Sequence, residues 1–499
     1  MIRIFKNYLI FDFGASNGRS AIARYDGNTF DMEVTHRFEN RPVHALGTLY
    51  WDILRLYSEL IIGIQHSLMK YKDITSMGLN TWGADFGFTN SNGKLISNPV
   101  HYRDEKRKVD ADSLYKIISR KELFELTGAA IIPVFDLFHL YSLKLQNATE
   151  FVSGNKFLTI PDIFNYFLTG KIYNEYTRMT TTVMYNQKEN KLEDRIFDRL
   201  DLPKDIFPEI IMPGEKIGNI SKNICSELGI ETIPVIAPAT HDTQSAVAGI
   251  PIVSKNKNWA FISMGTWFII GQETESPIIN DQALNAGFSN EGGVGGINLF
   301  VKNTTGLWII QQCREKWNKA RGSSMSWDEI ANLSLGAKPF KSLINVDDTI
   351  FSIHQVDMPE TIRKYCKEKS QNIPESIGEI SRCIYESLAM RLKYDFNNLE
   401  KLTGKKVELI HLMGGGTRNE LQCQLIADAT GVPVVAGPYE ATSVGNLLMQ
   451  LKASGEIRNL DEGREISLNS SVVSSYEPKN VDRWDEEYNK YLKKHIIDP

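Results

Sequence analysis

The residues best suited to chemistry lie in the middle of the chain, in residues 233–249 (IPVIAPATHDTQSAVAG). An apolar run, residues 233–237, is typical of a buried parallel strand, and small residues after Asp242 favour a closely packed helix. Asp242 is therefore predicted at a junction of strand and helix, where open α/β sheets bind ligands. A carboxylate there could accept a proton from a substrate hydroxyl. Taken alone, the segment favours a simpler interpretation, in which Asp242 only caps the helix.

A glycine-rich turn near the start of the chain is a second candidate site. The apolar residues 8–13 run into GASNGR, residues 14–19, and then into an alternating strand, residues 20–25. The tip of such a hairpin offers amide N–H groups, hydroxyls and Arg19 to a phosphate, although it lacks the Walker A spacing and an ordinary hairpin would contain the same residues. Asp12 is costly to bury unpaired. Beside a phosphate loop it could hold Mg²⁺ through water.

A similar pattern recurs about 250 residues later, in residues 259–272 (WAFISMGTWFIIGQ). Two apolar strands flank a small-residue turn that contains Thr266. Two such hairpins could flank one polyphosphate in a shared cleft. A chain of 499 residues exceeds what one core usually serves. We therefore expect two related domains, residues 1–250 and 251–499.

A glycine triplet, residues 414–416, follows a predicted strand and precedes a predicted helix. Bare backbone at such a turn can contact a phosphate or a nucleotide ring. A dinucleotide-binding fingerprint would need glycine at the position of Asn419, which argues against a dehydrogenase. Residues 285–296 are glycine-rich and are predicted to form a loop.

The segment TWGADFGF, residues 81–88, follows another predicted strand and offers further candidates for ligand binding. Gly83 would let a ligand approach the backbone closely, and Asp85 could accept hydrogen bonds from sugar hydroxyls. A turn packed in an aromatic core explains the segment equally well. The polar run in residues 174–186 predicts only a loop or strand rich in hydroxyls.

Composition excludes several classes of protein. The chain has 56 basic and 61 acidic side chains and a net charge of −5, which argues against nucleic acid as a partner. No uncharged apolar run is long enough for a membrane span, and the first residues do not read as a signal peptide. Five cysteines without zinc-ligand spacing fit a cytoplasmic protein with reduced thiols. The redox state of Cys366 and Cys383 stays open.

Seven segments together resemble the FGGY carbohydrate kinases in order and spacing. They are DFGASNGR, TWGADF, THDT, SMGTW, KNTTGLW, MGGGTRN and GPYEATSVGN, and they span nearly the whole chain. The resemblance implies an α/β fold of two ribonuclease-H-like (actin-like ATPase) domains. It also implies that a sugar and ATP, with Mg²⁺, meet in the central cleft between these domains.

The resemblance also implies residue roles. Asp242 would be the catalytic base that deprotonates the sugar 1-hydroxyl, and Asp12 would hold Mg²⁺. The residues implied for ATP are Ala15, Ser16, Asn17, Gly18 and Arg19 in the first phosphate loop, Thr266 in the second, and Gln311 and Gly415 near adenosine. The residues implied for the sugar are Gly83, His241, Thr243 and Asn303.

Residues 131–138 depart from the family pattern expected near the sugar, which leaves the sugar open. A 6-deoxy ketohexose is expected, L-rhamnulose first, with L-fuculose or another ketose as alternatives. An actin-like nucleotide switch or a sugar-sensing protein would share the fold without needing a base. The sequence leaves open whether the protein is a monomer or a homodimer.

Overall fold

The structure is a computed structural model, and it describes residues 5–109, 111–152, 154–254, 256–352 and 357–495. The strands are β1 (Lys6–Phe13), β2 (Asn17–Tyr25), β3 (Phe30–Glu39), β4 (Val43–Ala45), β5 (Thr48–Tyr50), β6 (Ile74–Thr81), β7 (Phe86–Thr89), β8 (Lys156–Thr159), β9 (Asn174–Glu175), β10 (Tyr185–Asn186), β11 (Lys191–Leu192), β12 (Ile210–Ile211), β13 (Lys216–Asn219), β14 (Pro234–Ile236), β15 (Trp259–Met264), β16 (Trp267–Thr274), β17 (Ser289–Gly292), β18 (Asn298–Thr305), β19 (Leu409–Met413), β20 (Val434–Ala436) and β21 (Ser474–Tyr476).

The α-helices are α1 (Ile53–Lys70), α2 (Lys106–Val109), α3 (Ala111–Ile117), α4 (Arg120–Thr127), α5 (Asp136–Leu145), α6 (Ile160–Thr169), α7 (Tyr176–Met179), α8 (Asp194–Leu200), α9 (Lys222–Leu228), α10 (Asp242–Ala248), α11 (Asp281–Ala286), α12 (Trp308–Arg321), α13 (Trp327–Leu335), α14 (Met358–Glu368), α15 (Ile377–Thr403), α16 (Glu420–Thr430), α17 (Ala441–Ala453), α18 (Leu460–Ser470) and α19 (Val481–His495). Short 3₁₀ helices cover Thr149–Phe151, Val294–Gly296, Thr349–Phe351 and Gly415–Arg418.

The first half of the chain builds a sheet in the order β13-β14-β6-β1-β2-β3. β1 pairs antiparallel with β2 and parallel with β6, and β6 pairs parallel with β14. The predicted N-terminal hairpin is thus confirmed, with Asp12 opposite Arg19 in its register. Because β1, β6 and β14 are parallel, the turns after them lie at one edge of the sheet. That edge carries the GASNGR turn, Gly83 and the turn before Asp242.

The second half builds a sheet in the order β17-β18-β16-β15-β19-β20-β21. β15 pairs antiparallel with β16 and parallel with β19, which in turn pairs parallel with β20. The second predicted hairpin is therefore confirmed as well. Its turn and the glycine triplet after β19 share one edge, by the same argument as in the first sheet.

Helices α10 and α17 lie between the two sheets. Ala246 and Val247 of α10 pack against Val301 and Met413 of the second sheet, whereas α17 packs against β1 and β6 of the first. A Cβ atom on Gly445 of α17 would lie 1.8 Å from the carbonyl oxygen of Ser245, so the two helices approach as closely as only glycine permits. The second half thus covers the first sheet, while the expected domain boundary at residue 250 stays a prediction.

Two polar segments form more regular structure than their composition indicates. Part of the predicted loop 285–296 is β17, an edge strand paired with β18. The run 174–186 contains β9, α7 and β10 and is buried throughout. Glycine and hydroxyl-bearing residues do not reliably indicate a loop in these segments, because partners far away in the sequence satisfy the polar groups.

Two further observations bear on the expectations from composition. Within the described residues, no helix is long and apolar enough to cross a membrane. All five cysteines are free thiols, and those of Cys366 and Cys383 interact with each other in the core.

Candidate active site

Asp242 is the first residue of α10, and the N-cap position is held by His241. The interpretation of Asp242 as an N-cap is therefore wrong. Its Oδ1 accepts the N–H of Thr243 at 2.7 Å, and its side chain stays 31% exposed at the edge between the sheets. Withdrawal from water, together with the nearby charge of Asp12, raises the pKa of Asp242 to about 7. A carboxylate with such a pKa can take up and release a proton near neutral pH.

His241 and Gly83 lie against each other at the same edge. A Cβ atom on Gly83 would lie 2.0 Å from Nε2 of His241, so the imidazole occupies the space that a side chain would need. Nε2 of His241 is also 3.4 Å from Oδ1 of Asp242. Burial lowers the pKa of His241 to about 3, so the ring is neutral. Thr243 follows directly and is buried.

The turn predicted to be the first phosphate loop is compact and partly exposed. The N–H of Gly14 donates to the carbonyl of Asn17 at 2.8 Å, and Asn40 closes the turn through the carbonyls of Ser16 and Gly14. Ser16 and Asn17 themselves are exposed at the tip. Gly18 is required for packing, because a Cβ atom there would lie 2.2 Å from the ring of Phe38.

Asp12 and Arg19 form an ion pair behind this loop. Nε of Arg19 donates to Oδ2 of Asp12 at 3.0 Å, and Nη2 donates to the same oxygen at 2.5 Å. Arg19 also pairs with Glu440, the residue before α17. Two residues further along, Oγ1 of Thr442 donates to the carbonyl of Asp242 at 3.3 Å. The sheet edges that carry these turns therefore meet.

The second hairpin and the glycine triplet meet on the other side of this junction. Oγ1 of Thr266 donates to Oε1 of Gln311 in α12 at 3.1 Å. A Cβ atom on Gly416 would lie 2.8 Å from Met264 just before the hairpin turn, whereas one on Gly415 would meet open space. Gly415 thus presents bare backbone outward, as contact with a nucleotide needs.

Asn303 lies in β18 on the sheet face that carries Leu299 and Val301. Side chains alternate along a strand, so these three share a face, and Leu299 and Val301 pack against α10. Asn303 therefore faces the first half of the chain. Of the residues predicted for the sugar, Gly83, His241 and Thr243 are brought together, and Asn303 faces them from the second sheet.

A buried polar network supports the turn before Asp242, and no sequence pattern predicted it. Oε2 of Glu175 accepts the N–H of Thr240 at 3.0 Å and its hydroxyl at 2.6 Å. The same carboxylate accepts the N–H and the hydroxyl of Thr177. Burial raises the pKa of Glu175, while these hydrogen bonds oppose the rise. Glu175 thus holds in place the backbone turn that leads to Asp242, the candidate base.

Asp85 belongs to the structural network and not to the sugar-contacting surface. It is fully buried, and it accepts hydrogen bonds from Nε1 of Trp51 at 2.5 Å, the N–H of Tyr102 at 3.0 Å and the guanidinium of Arg107 at 2.5 Å. Three donors therefore hold this carboxylate, and none of its surface is exposed to the cleft. The hypothesis that Asp85 binds a sugar hydroxyl is not supported.

Comparison with known proteins defines the class of this protein. Residues 7–249 match the N-terminal domain of the FGGY family of carbohydrate kinases, and residues 260–454 match its C-terminal domain. The chain belongs to the FGGY family of carbohydrate kinases. As a member of that family it is an enzyme that takes a sugar and ATP as substrates.

Two proteins named rhamnulokinase align with this chain over nearly its whole length. It is 36% identical to a rhamnulokinase of Bacteroides thetaiotaomicron over 483 residues, which cover 97% of this chain and 98% of that protein. It is 32% identical to a rhamnulokinase of Bacillus subtilis over 476 residues, or 95% and 96% of the two chains.

Solved structures share the fold. A ligand-bound xylulose kinase from Lactobacillus acidophilus matches with a TM-score of 0.79 at 16% identity, covering 98% of this chain and 97% of that one. Plasmodium falciparum glycerol kinase with ADP matches with a TM-score of 0.78 at 15% identity, covering 99% of both chains. The predicted fold of two actin-like ATPase domains is confirmed.

Proposed function

We propose that this enzyme transfers the γ-phosphate of ATP to the 1-hydroxyl of L-rhamnulose, forming L-rhamnulose 1-phosphate and ADP. The observation that carries the mechanism is the position of Asp242, a carboxylate with a raised pKa that begins α10 at the sheet edge shared with the GASNGR turn and Gly83. The full-length similarity to proteins named rhamnulokinase supports the choice of sugar. An enzyme that consumes ATP works where ATP is supplied, so we place it in the cytoplasm.

In this mechanism, Asp242 accepts the proton of the sugar 1-hydroxyl while the oxygen of that hydroxyl attacks the γ-phosphorus of ATP. The new O–P bond forms while the bond between the γ-phosphorus and the β,γ-bridging oxygen breaks, and ADP leaves. Backbone N–H groups of residues 15–18 and the side chains of Arg19 and Thr266 orient the phosphates. Phosphoryl transfer depends mainly on such positioning and on charge stabilisation.

For the sugar, Gly83, His241, Thr243 and Asn303 form the proposed binding surface. They approach from both halves of the chain, so a bound sugar would draw the two sheet edges together. Closure of that kind excludes water from the reacting phosphate and suppresses hydrolysis of ATP. Gln311 and Gly415 lie on the proposed nucleotide side.

The residues present fit Mg²⁺ bound together with ATP. Mg²⁺ usually takes one or two carboxylates plus substrate phosphates and water. Asp12 can supply one carboxylate, and its charge already acts on Asp242. Among the described residues, no group of three or more His, Cys, Asp and Glu side chains is arranged as a metal cage. Bound Mg²⁺ would neutralise charge on the phosphates, and Arg19 would have to share Asp12 with it.

Substrate identity is tested by ADP release with Mg-ATP and a panel of L-rhamnulose, L-fuculose, L-ribulose, D-xylulose and glycerol. We expect a large preference in kcat/KM for L-rhamnulose, with the product identified as a 1-phosphate by ³¹P NMR. A preference for L-fuculose would keep the mechanism and change the substrate, with residues 131–138 as the segment to exchange. ADP release that is indifferent to sugar would contradict the kinase proposal and support a nucleotide switch.

The pH dependence of kcat/KM for the sugar is a second test. Asp242 must be deprotonated to act as a base, so activity is expected to fall as pH drops through about 7. If the base were an aspartate with an ordinary pKa, the fall in activity would occur near pH 4. ATP also titrates near neutral pH. The pH dependence of kcat/KM for Mg-ATP, measured at saturating sugar, therefore serves as the control. A flat profile for the sugar between about pH 5 and 8 would contradict the assignment.

A further inference from the structure

Arg103 projects from a short segment whose backbone is held in place on both sides. The N–H of Tyr102 donates to the buried carboxylate of Asp85 at 3.0 Å, and the carboxylate of Asp104 accepts the N–H of Leu49 at 2.7 Å. Asp104 is buried, whereas the side chain of Arg103 is exposed. Arg103 therefore presents its guanidinium from a fixed point of the first half of the chain.

The guanidinium lies between aromatic rings of the two halves of the chain. The Cζ atom of Arg103 is 5.5 Å from the ring centroid of Tyr102 and 5.7 Å from that of Trp308. Both distances are within the range of a cation–π contact. Tyr102 belongs to the first half, and Trp308 begins α12 in the second half. Arg103 thus spans the space between the two halves.

Each of these rings connects Arg103 to a candidate functional group. Burial raises the pKa of Tyr102, the charge of Arg103 opposes the rise, and the charge of Asp242 adds to it, so both charges act on the phenol. On the other side, the N–H of Trp308 donates to the carbonyl of Thr266 at 3.1 Å. A series of interactions therefore runs from the candidate base through Arg103 to the turn of the second hairpin.

The charge of Arg103 is also not compensated by an acidic side chain. Among the described residues, no carboxylate lies within ion-pair distance of its guanidinium, whereas Arg19 pairs with both Asp12 and Glu440. Phosphoryl transfer spreads negative charge over the oxygens of the moving group. A guanidinium offers several N–H donors in one plane, which match phosphate oxygens. Arg103 is therefore better suited than Arg19 to neutralise that charge.

We propose that Arg103 is a further catalytic residue, whose guanidinium binds the γ-phosphate of ATP and stabilises its charge during transfer to the sugar. Arg103 donates hydrogen bonds and transfers no proton, so the bonds formed and broken are those of the mechanism given above. This role rests on the proposed function, in which the γ-phosphate lies between Asp242 and the second hairpin. Positive charge placed at the moving group is among the largest contributions to such catalysis.

The catalytic role is tested by comparing Arg103→Met with Arg103→Lys. Methionine removes the charge and the donors, so kcat is expected to fall about 10²–10³-fold, the usual cost of losing one donor to developing charge. Lysine restores a positive charge without the planar set of donors and should recover part of the loss. Single-turnover phosphoryl transfer measures the chemical step, and KM for the sugar should change less than kcat.

Arg483→Met is the matched control for these variants. Arg483 is also exposed, and its Cζ atom lies 5.1 Å from the ring centroid of Phe340. It belongs to α19, which packs against α16. The control thus removes an arginine from an aromatic ring without altering the proposed site, and kcat should stay unchanged. Equal kcat values in Arg103→Met and Arg483→Met would overturn the catalytic role.

Nucleotide binding tests the contact with the γ-phosphate separately from turnover. Calorimetry with the full-length protein and Mg²⁺ gives the affinities for ADP and for the β,γ-imido analogue of ATP. Arg103→Met is expected to weaken binding of the analogue about tenfold, as for the loss of one charge-assisted hydrogen bond, and to leave ADP unchanged. An equal effect on both nucleotides, or no effect on either, would overturn the proposal.

Failure of this proposal is distinguishable from failure of the proposed function. If the unaltered protein phosphorylates no sugar of the panel, the proposed function is wrong. The comparison of ADP with the imido analogue would then still decide whether Arg103 contacts the γ-phosphate. If the unaltered protein phosphorylates a sugar and Arg103→Met retains its kcat, the proposed function stands and the role of Arg103 is wrong.

Discussion

Replacement of Asp242 by asparagine is expected to lower kcat for sugar phosphorylation by about 10²–10⁴-fold, the usual contribution of a general base. Asparagine keeps the size of the side chain and can still accept the N–H of Thr243, which is 2.7 Å away in the unaltered protein. It cannot accept a proton. The fold should therefore persist while the chemical step is lost, which single-turnover phosphoryl transfer and circular dichroism would measure.

Asp194→Asn is the matched control for this experiment. Asp194 is the first residue of α8, a helix of seven residues like α10, and its N-cap is also held by the preceding residue. Both substitutions remove a charge from the same position of a short helix, so any effect on helix stability is shared. Only Asp242 lies at the cleft. Comparable kcat values in the two variants would show that Asp242 is not the base.

Replacement of Arg178 by methionine is expected to destabilise the protein by about 3–5 kcal/mol, the range for breaking a buried ion pair. Nη2 of Arg178 lies 2.6 Å from Oδ2 of Asp136, and neither side chain is exposed. The guanidinium also donates to Oγ1 of Thr181 at 2.8 Å and to the carbonyl of Asp85 at 3.2 Å. Without it, the charge of Asp136 is left buried and unpaired.

Urea unfolding followed by tryptophan fluorescence measures this effect. Arg195→Met is the control, because Arg195 pairs with Glu193 but is 62% exposed, and such pairs contribute about 1 kcal/mol or less. Burial already raises the pKa of Asp136, and Arg178 opposes that rise. In Arg178→Met the carboxyl can relieve its burial by protonating, so the loss should be smaller near pH 6 than near pH 8. Equal losses in the two variants would contradict the structural role.

Where a contact is local in sequence, the prediction from sequence was accurate. Each hairpin was confirmed, because an apolar strand, a turn of small residues and a second apolar strand leave few other ways to pair. The pairing of Asp12 with Arg19 follows from that register. By contrast, the glycine-rich segment that became β17 was predicted as a loop, since its pairing partner β18 supplies the order.

The assignment of Asp85 failed for a related reason. Its position after a strand and a glycine is compatible with ligand binding, but Trp51, Tyr102 and Arg107 converge on its carboxylate from other parts of the chain. A buried carboxylate is stabilised by such donors, and no local pattern shows where they come from. The same holds for Glu175, which reaches Thr240 across 65 positions of sequence.

The sequence by itself determined the family, the two hairpins and the position of Asp242 between a strand and a helix. Each of these depends on short segments whose periodicity and turn residues dictate local structure. Only the tertiary structure decided that α17 covers the first sheet, that Glu440 meets Arg19, and that Glu291 reaches α10. Those contacts join segments that the chain separates widely, and they form because buried polar groups must find partners wherever the packed sheets bring them.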